Sequence, residues 1–270
     1  VPFFTDTHCH LNLNTFQADL EAVLARAWEA GVARILIPGI DVETSRRAVA
    51  LAERDERLFA AVGVHPGDAS TWNNDTIPIL RDLAQHPKTA AIGEIGLDYY
   101  RDRSPRPLQQ EVFHAQLELA AECNLPVVIH NREAMEDVWV ELHLWQAALT
   151  ASGSPLASRP GVLHAFDGDL PTAMRALEKG FFIGIAGPVT FKNASDRHQV
   201  AAGLPEDRIL IETDAPFLTP HPHRGRWPNE PAFVPFVAER IAALRQQPVE
   251  EIARITWENA AVIFDWGANS

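Results

Sequence analysis

Hydrophobic and polar positions along this chain follow two recurring rhythms. Short runs that are apolar throughout read as buried strands, and longer stretches with apolar residues at helical spacing read as amphipathic helices. The first apolar run is Pro2 to Phe4. Leu20, Val23, Leu24, Ala27 and Trp28 then repeat at helical spacing up to Gly31. Ala33 to Pro38 predicts a second strand, and Asp41 to Arg54 a helix with Asp41 as its cap. Phe59 to Val64 predicts a third strand, Ile77 to Gln85 a short helix, and Ala90 to Glu94 a fourth strand. The helix over Leu108 to Cys123 gathers Phe113, Leu117, Ala120 and Ala121 on one face. Pro126 to His130 is the fifth strand, followed by a helix from Ala134 to Leu149. Thr150 to Pro160, with its Ser, Pro and Gly residues, reads as a flexible loop. Val162 to His164 is the sixth strand and Pro171 to Lys179 a helix. Phe181 to Ile185 and Arg208 to Glu212 are the last two strands, and helices over Phe233 to Leu244 and Val249 to Phe264 close the chain.

Strands that are apolar throughout, alternating with helices to a count of eight, predict a closed parallel TIM (β/α)8 barrel, as one domain over residues 1–270. A doubly wound open sheet is the alternative. The chain's 270 residues, 46% hydrophobic, are enough for one large core. Its two cysteines, Cys9 and Cys123, imply no disulfide framework. No apolar run is long enough to cross a bilayer and no basic-then-apolar leader opens the sequence, so a cytoplasmic setting is expected. The net charge of −13 argues against broad electrostatic coating of nucleic acid, though bound cations can invert the field locally.

Chemistry-bearing residues collect where those strands end. In Asp6-Thr7-His8-Cys9-His10, strand alternation puts Asp6, His8 and His10 on one face. Glu94, His130, His164 and Asp214 stand at the ends of the fourth, fifth, sixth and eighth strands, the end at which such barrels carry their active sites. A single histidine ending an apolar strand is ordinarily a packed core residue. Several converging with carboxylates ask for a metal, because an uncompensated buried charge is costly. The donor count suits two divalent ions: His8 and His10 with Asp214 on one, His130 and His164 on the other, and Glu94 as a bridge. Lys88 lies at the wrong end of its strand to bridge as a carboxylated lysine. Asp6 and Glu212 are candidates to orient ligand histidines from behind, or to make structural hydrogen bonds.

Loops after the strands carry Arg101, Arg103, Arg132, Lys192, Arg224 and Arg226. In an acidic protein this grouping suggests an anionic, phosphate-bearing substrate. Trp72, Tyr99, Tyr100, Phe191 and Trp227 lie on the same loops, where a nucleobase could stack or ordinary packing could hold them.

Together these runs resemble the TatD-type metal-dependent deoxyribonucleases, within the amidohydrolase-like barrels. The resemblance is carried by Thr5 to His10, Gly63-Val64-His65-Pro66, Gly93 to Asp98, Ile129 to Arg132, His164 to Gly168 and Glu212 to Leu218, and it spans Phe4 to Phe264. It implies His8, His10, Glu94, His130, His164 and Asp214 as metal ligands, with Glu94 and Asp214 at the chemistry. It also implies that His65, Arg132 and the Tyr99-Tyr100-Arg101 region contact phosphate or sugar, with Lys192 and Arg224 as further candidate contacts. The cofactors implied are two divalent ions, magnesium or manganese, with zinc as a further candidate. The implied reaction is hydrolysis of DNA phosphodiesters, including 3′→5′ removal of nucleotides, in DNA repair or degradation; single-stranded ends are expected because a duplex would have to unpair to reach metals in the barrel mouth. No membrane and no obligate protein partner are implied. The segment Arg224 to Pro231 departs from the family pattern, being longer, with Trp227 and Pro228 intruding. Two other readings share the same residues. One is an amide or ester hydrolase, such as a D-aminoacyl-tRNA deacylase, and the other is a metal-holding, partner-binding barrel without turnover.

Overall fold

A computed structural model describes residues 3–101 and 103–266. Its strands are β1 (Phe4–Asp6), β2 (Val32–Pro38), β3 (Leu58–Val62), β4 (Thr89–Asp98), β5 (Val127–Arg132), β6 (Gly161–Leu163), β7 (Phe182–Ile185) and β8 (Ile209–Ile211). The helices are α1 (Leu20–Glu29), α2 (Val42–Ala52), α3 (Thr76–Ala84), α4 (Arg106–Cys123), α5 (Met135–Ala151), α6 (Leu170–Leu177), α7 (Ser195–Gly203), α8 (Val234–Arg245) and α9 (Val249–Phe264). The strands form one eight-stranded sheet whose order in space is their order in the chain, the (β/α)8 topology that the periodicity predicts. Pro2, at the predicted start of the first strand, lies outside the described residues. No helix among the described residues is long and apolar enough to cross a membrane.

The chain divides into two compact units. One takes the chain up to Ile37, His164–Glu178 and everything from Phe182 on. It pairs β1 with β2 and β7 with β8, each in parallel. The buried run Ile35, Leu36 and Ile37 of β2 belongs to its core, as do Ile183 of β7 and Leu210 of β8. The other unit is Pro38–Leu163 with Lys179–Phe181. It joins β3, β4, β5 and β6 in parallel, over a core that includes Ile92, Ile95, Leu97, Val128 and Ile129. Each such side chain taken from water stabilises the fold by about 1.5–3 kcal/mol.

Local chemistry sets the helix starts. Asp41 accepts the Thr44 backbone N–H at 2.7 Å while Thr44 Oγ1 accepts from the backbone N–H of Asp41, a reciprocal cap on α2. Asp169 caps α6 through the Thr172 N–H at 3.0 Å.

Strand β1 lies two residues later than expected, β6 and β8 end one residue short of His164 and Glu212, and four larger departures follow. Strand β4 runs past Glu94 to Asp98, so Glu94 lies within it and not at its end. Strand β5 continues past His130 to Arg132, in register with Asp98. Helix α7 has no counterpart in the predicted elements, because Ser195–Gly203 opens on the polar run Asp196 to Gln199 and shows no apolar stripe at helical spacing. The tract expected as a loose loop folds back instead. Helix α5 extends to Ala151, and Pro155–Ser158 form a helical turn that buries Leu156, with Ser154 Oγ accepting the Leu156 N–H.

Candidate metal centre

In the first unit the chain beyond β1 threads against the chain beyond β8. Thr7 N–H donates to Ile211 O at 3.1 Å, Asp214 N–H to His8 O at 2.9 Å and His10 N–H to Ala215 O at 2.8 Å. This interleaving brings His8, His10 and Asp214 together, although they are far apart in sequence. His8 Nε2 lies 3.1 Å from His10 Nε2, and the two nitrogens lie 3.7 and 3.6 Å from Asp214 Oδ1. His164, just past β6, stacks flat on His8 with ring centroids 3.9 Å apart. His8, His164 and Asp214 each offer one ligand atom, all within 4.8 Å of one another. Asp214 has φ 54°, a left-handed backbone that a non-glycine residue adopts at a cost and that clusters at functional sites. Burial alone would raise its carboxyl. The imidazoles of His10, His8 and His164 outweigh burial and hold it below the usual carboxylate range.

Behind these residues sit two buried carboxylates. Glu212 places Oε1 at 3.6 Å from His164 Nδ1, accepts the Ala165 N–H, and takes the Thr7 hydroxyl at 3.3 Å. Gly184 makes room for it, since a Cβ there would lie 2.5 Å from Glu212 Oε2. Asp6 accepts the Thr213 N–H at 2.9 Å, the Thr213 hydroxyl at 2.6 Å and the His8 N–H at 3.3 Å. Those bonds tie backbone to backbone, so Asp6 braces the ligand loop through main chain and Thr213. Burial pushes its carboxyl up to about 8, against the pull of the Thr213 and His8 bonds.

In the second unit, the register between β4 and β5 slips between Ile92 and Ile95, a bulge that contains Glu94. Bulges re-aim side chains beside functional sites. Glu94 Oε1 meets His130 Nδ1 at 2.9 Å and lies 3.8 Å from His65 Nε2. His65 Nδ1 accepts the Gly67 N–H at 2.9 Å, which fixes the ring. Gly96, at φ +136°, lets β5 approach; a Cβ there would lie 2.0 Å from His130 O.

Asp98 was not among the residues picked out in the sequence. Its Oδ2 lies 3.3 Å from His130 Nε2, and it groups with His65 and His130 within 4.8 Å. Burial raises its carboxyl, but the His130 contact and the Arg101 N–H outweigh burial and hold it at about 2. The alternation Glu94, Gly96, Asp98 within a longer strand was the available signal, and a strand ended at Glu94 conceals it.

The expected substrate contacts divide. Arg132 lies over the exposed ring of Tyr100, 4.0 Å from its centroid. Arg224 lies over Phe191 at 4.1 Å. Arg101 and Lys192 are exposed. Tyr99 is otherwise engaged: its hydroxyl donates to Asp137 Oδ2 at 2.6 Å and accepts from Gln110 Nε2 at 2.8 Å, under the Arg106 guanidinium. Arg226 pairs with buried Glu230 at 3.4 Å.

Residues 5–265 match the family described as TatD related DNase. The chain is 44% identical to the uncharacterized metal-dependent hydrolase YabD of Bacillus subtilis, over 96% of this chain and 98% of that protein. It is 38% identical to the 3′-5′ ssDNA/RNA exonuclease TatD of Erwinia tasmaniensis, over 96% and 99%. The crystal structure of the TatD homologue YjjV from Escherichia coli superposes with a TM-score of 0.89 at 35% identity, covering 97% of this chain and 98% of that one. With the (β/α)8 barrel, the histidine and carboxylate clusters and these likenesses together, the chain belongs to the TatD-related DNase family of metal-dependent hydrolases.

Proposed function

We propose that this chain is a divalent-metal-dependent phosphodiesterase that removes nucleotides from the 3′ ends of single-stranded nucleic acid. The observation that carries the reading is the trio of buried His8 and His164 with part-buried Asp214, whose ligand atoms lie within 4.8 Å of one another and in which Asp214 is held as a carboxylate. The relatives named as ssDNA/RNA exonucleases support the substrate and its polarity. They also favour phosphorus over carbon as the reacting centre, although an amide or ester hydrolase would use the same donors.

The donors fit a divalent ion chemically. Neutral imidazole nitrogens and carboxylate oxygens are ordinary ligands for zinc and manganese, and their burial restricts competing water. We propose His8, His10, His164 and Asp214 in the first unit, and Glu94 and His130 in the second, as the metal ligands. All lie in the C-terminal part of a parallel strand or just beyond it, where barrels of this class carry their chemistry. When bound, such ions polarise a phosphoryl oxygen and make water nucleophilic near neutral pH. Asp214, kept ionised, is available to accept the proton that water gives up. Glu212, with Oε1 3.6 Å from His164 Nδ1, faces that ring from behind. Arg132, whose guanidinium lies over the Tyr100 ring, presents a fork for a phosphoryl oxygen.

The test is metal-stripped protein assayed on end-labelled single-stranded, duplex and closed circular DNA, on RNA and on an aryl ester panel. Activity on linear single strands should vanish with chelator and return with manganese or magnesium. Full activity in the chelated protein, or turnover confined to carbon esters, would overturn the reading.

A further inference from the structure

Among the described residues, the largest exposed apolar groups include Phe217, Leu218 and Trp227, all on the segment between Asp214 and Glu230. Phe217 is 44% exposed and Trp227 61%. Their ring centroids are 5.7 Å apart with planes tilted by 54°, so the two rings form an open wedge and not a closed stack. Phe217 in turn meets the candidate ligand His10 edge to face, with centroids 6.1 Å apart. The wedge thus starts at the histidine and carboxylate cluster and ends in solvent.

Loose packing does not explain this exposure, because the segment is pinned beneath the rings. Buried Asn229 donates through Nδ2 to Thr213 O at 2.9 Å and to Phe217 O at 2.5 Å, and its N–H reaches Pro216 O at 3.0 Å. Thr219 Oγ1 donates to Arg226 O at 2.7 Å, and buried Glu230 pairs with Arg26 at 2.6 Å. The ordering entropy of the loop is therefore met on folding and not on binding. Two other loop aromatics, Tyr99 and Phe191, are less free to take a base. The Tyr99 hydroxyl is bonded to Asp137, and Phe191 lies under Arg224.

We infer that the Phe217–Trp227 wedge is the nucleobase subsite of this enzyme, receiving an unpaired base from the last two nucleotides at the 3′ end. The inference rests on the phosphodiesterase reading above and deepens it. Stacking on an aromatic face suits a substrate whose sequence varies, since every base has such a face. A base can enter only when it is not stacked in a duplex, so the wedge selects single-stranded ends. Trp227, the more exposed of the two rings at 61%, offers the outer stacking face.

The experiment compares an intact oligonucleotide with one carrying abasic tetrahydrofuran residues at its last two 3′ positions. Each is assayed with manganese-loaded protein and, separately, by fluorescence anisotropy under chelator. Trp227→Ala should raise KM for the intact strand about tenfold more than for the abasic strand, with the loss in KM and not in kcat, and Trp227→Phe should recover most of it. The inference is overturned if Trp227→Ala affects both strands equally or neither. If the unmodified protein cuts neither strand yet holds the intact one more tightly, in a Trp227-dependent way, the hydrolytic reading falls and the subsite stands. If it neither cuts nor binds, both fall.

Discussion

Glu94 is where one side chain carries most of the electrostatic consequence. It is buried, it reaches His130 at 2.9 Å, and its placement depends on a bulge in β4. Glu94→Gln keeps the volume and removes the charge. We expect metal content to fall by at least one ion and turnover by 100-fold or more, the order that loss of a ligand's charge at a metal site entails, with an unchanged far-UV spectrum. Elemental analysis alongside the rate measurement checks this, and unchanged metal content with unchanged turnover would remove Glu94 from the site. Arg132→Ala is expected to act differently. Its guanidinium lies over the Tyr100 ring, so metal content should hold while KM rises roughly tenfold, the worth of a charge-assisted phosphate contact. Metal loss in that variant would show that Arg132 belongs to the ligand set.

At the scale of elements, β4 and the loop after β8 matter most. Gly96→Ala would drive a Cβ to 2.0 Å from His130 O and demand a strained φ of +136°. A cost of roughly 2–4 kcal/mol is expected from overpacking and backbone strain combined, visible as a lower denaturation midpoint. The loop from Asp214 to Glu230 hangs on Asn229. Asn229→Ala strips its buried Thr213 and Phe217 carbonyls of their donor, which should cost about 1–3 kcal/mol. Because the same loop presents Asp214, activity should fall more steeply than stability. A variant with native stability and full activity would show that the loop holds without this bond.

For the molecule as a whole, the relevant quantity is its acidity. With a net charge of −13, the general surface is expected to repel nucleic acid, leaving attraction to local cations such as Arg132 and Arg224. The dependence of binding on salt should therefore be shallow, corresponding to about two or three phosphates contacted, far below the slope of a protein that coats a duplex. A titration of KM between low and high ionic strength measures it. A steep slope would mean that a long basic track exists elsewhere on the surface.

The alternation of apolar strands with amphipathic helices was legible in the sequence because burial on both faces leaves a continuous apolar run that no folding detail can hide. The candidate ligand histidines and carboxylates were legible for a related reason. Each was read at the end of such a run, the end at which barrels of this kind carry their chemistry. Helix α7, by contrast, has no apolar stripe, so only its neighbours hold it in place. The role of Asp98 depended on how far β4 runs, and strand ends are set by hydrogen-bonding partners on β5. Asp6 and Glu212 were equivalent in the sequence as buried acids near histidines. Only the threading of Thr7, Thr213 and Ala165 past them decided that Glu212 approaches a ligand ring while Asp6 ties main chain together. The Phe217–Trp227 wedge lay furthest from what sequence could reveal. Two aromatics on a loop become a site only through the tertiary contacts that pin the loop and leave the rings exposed beside His10.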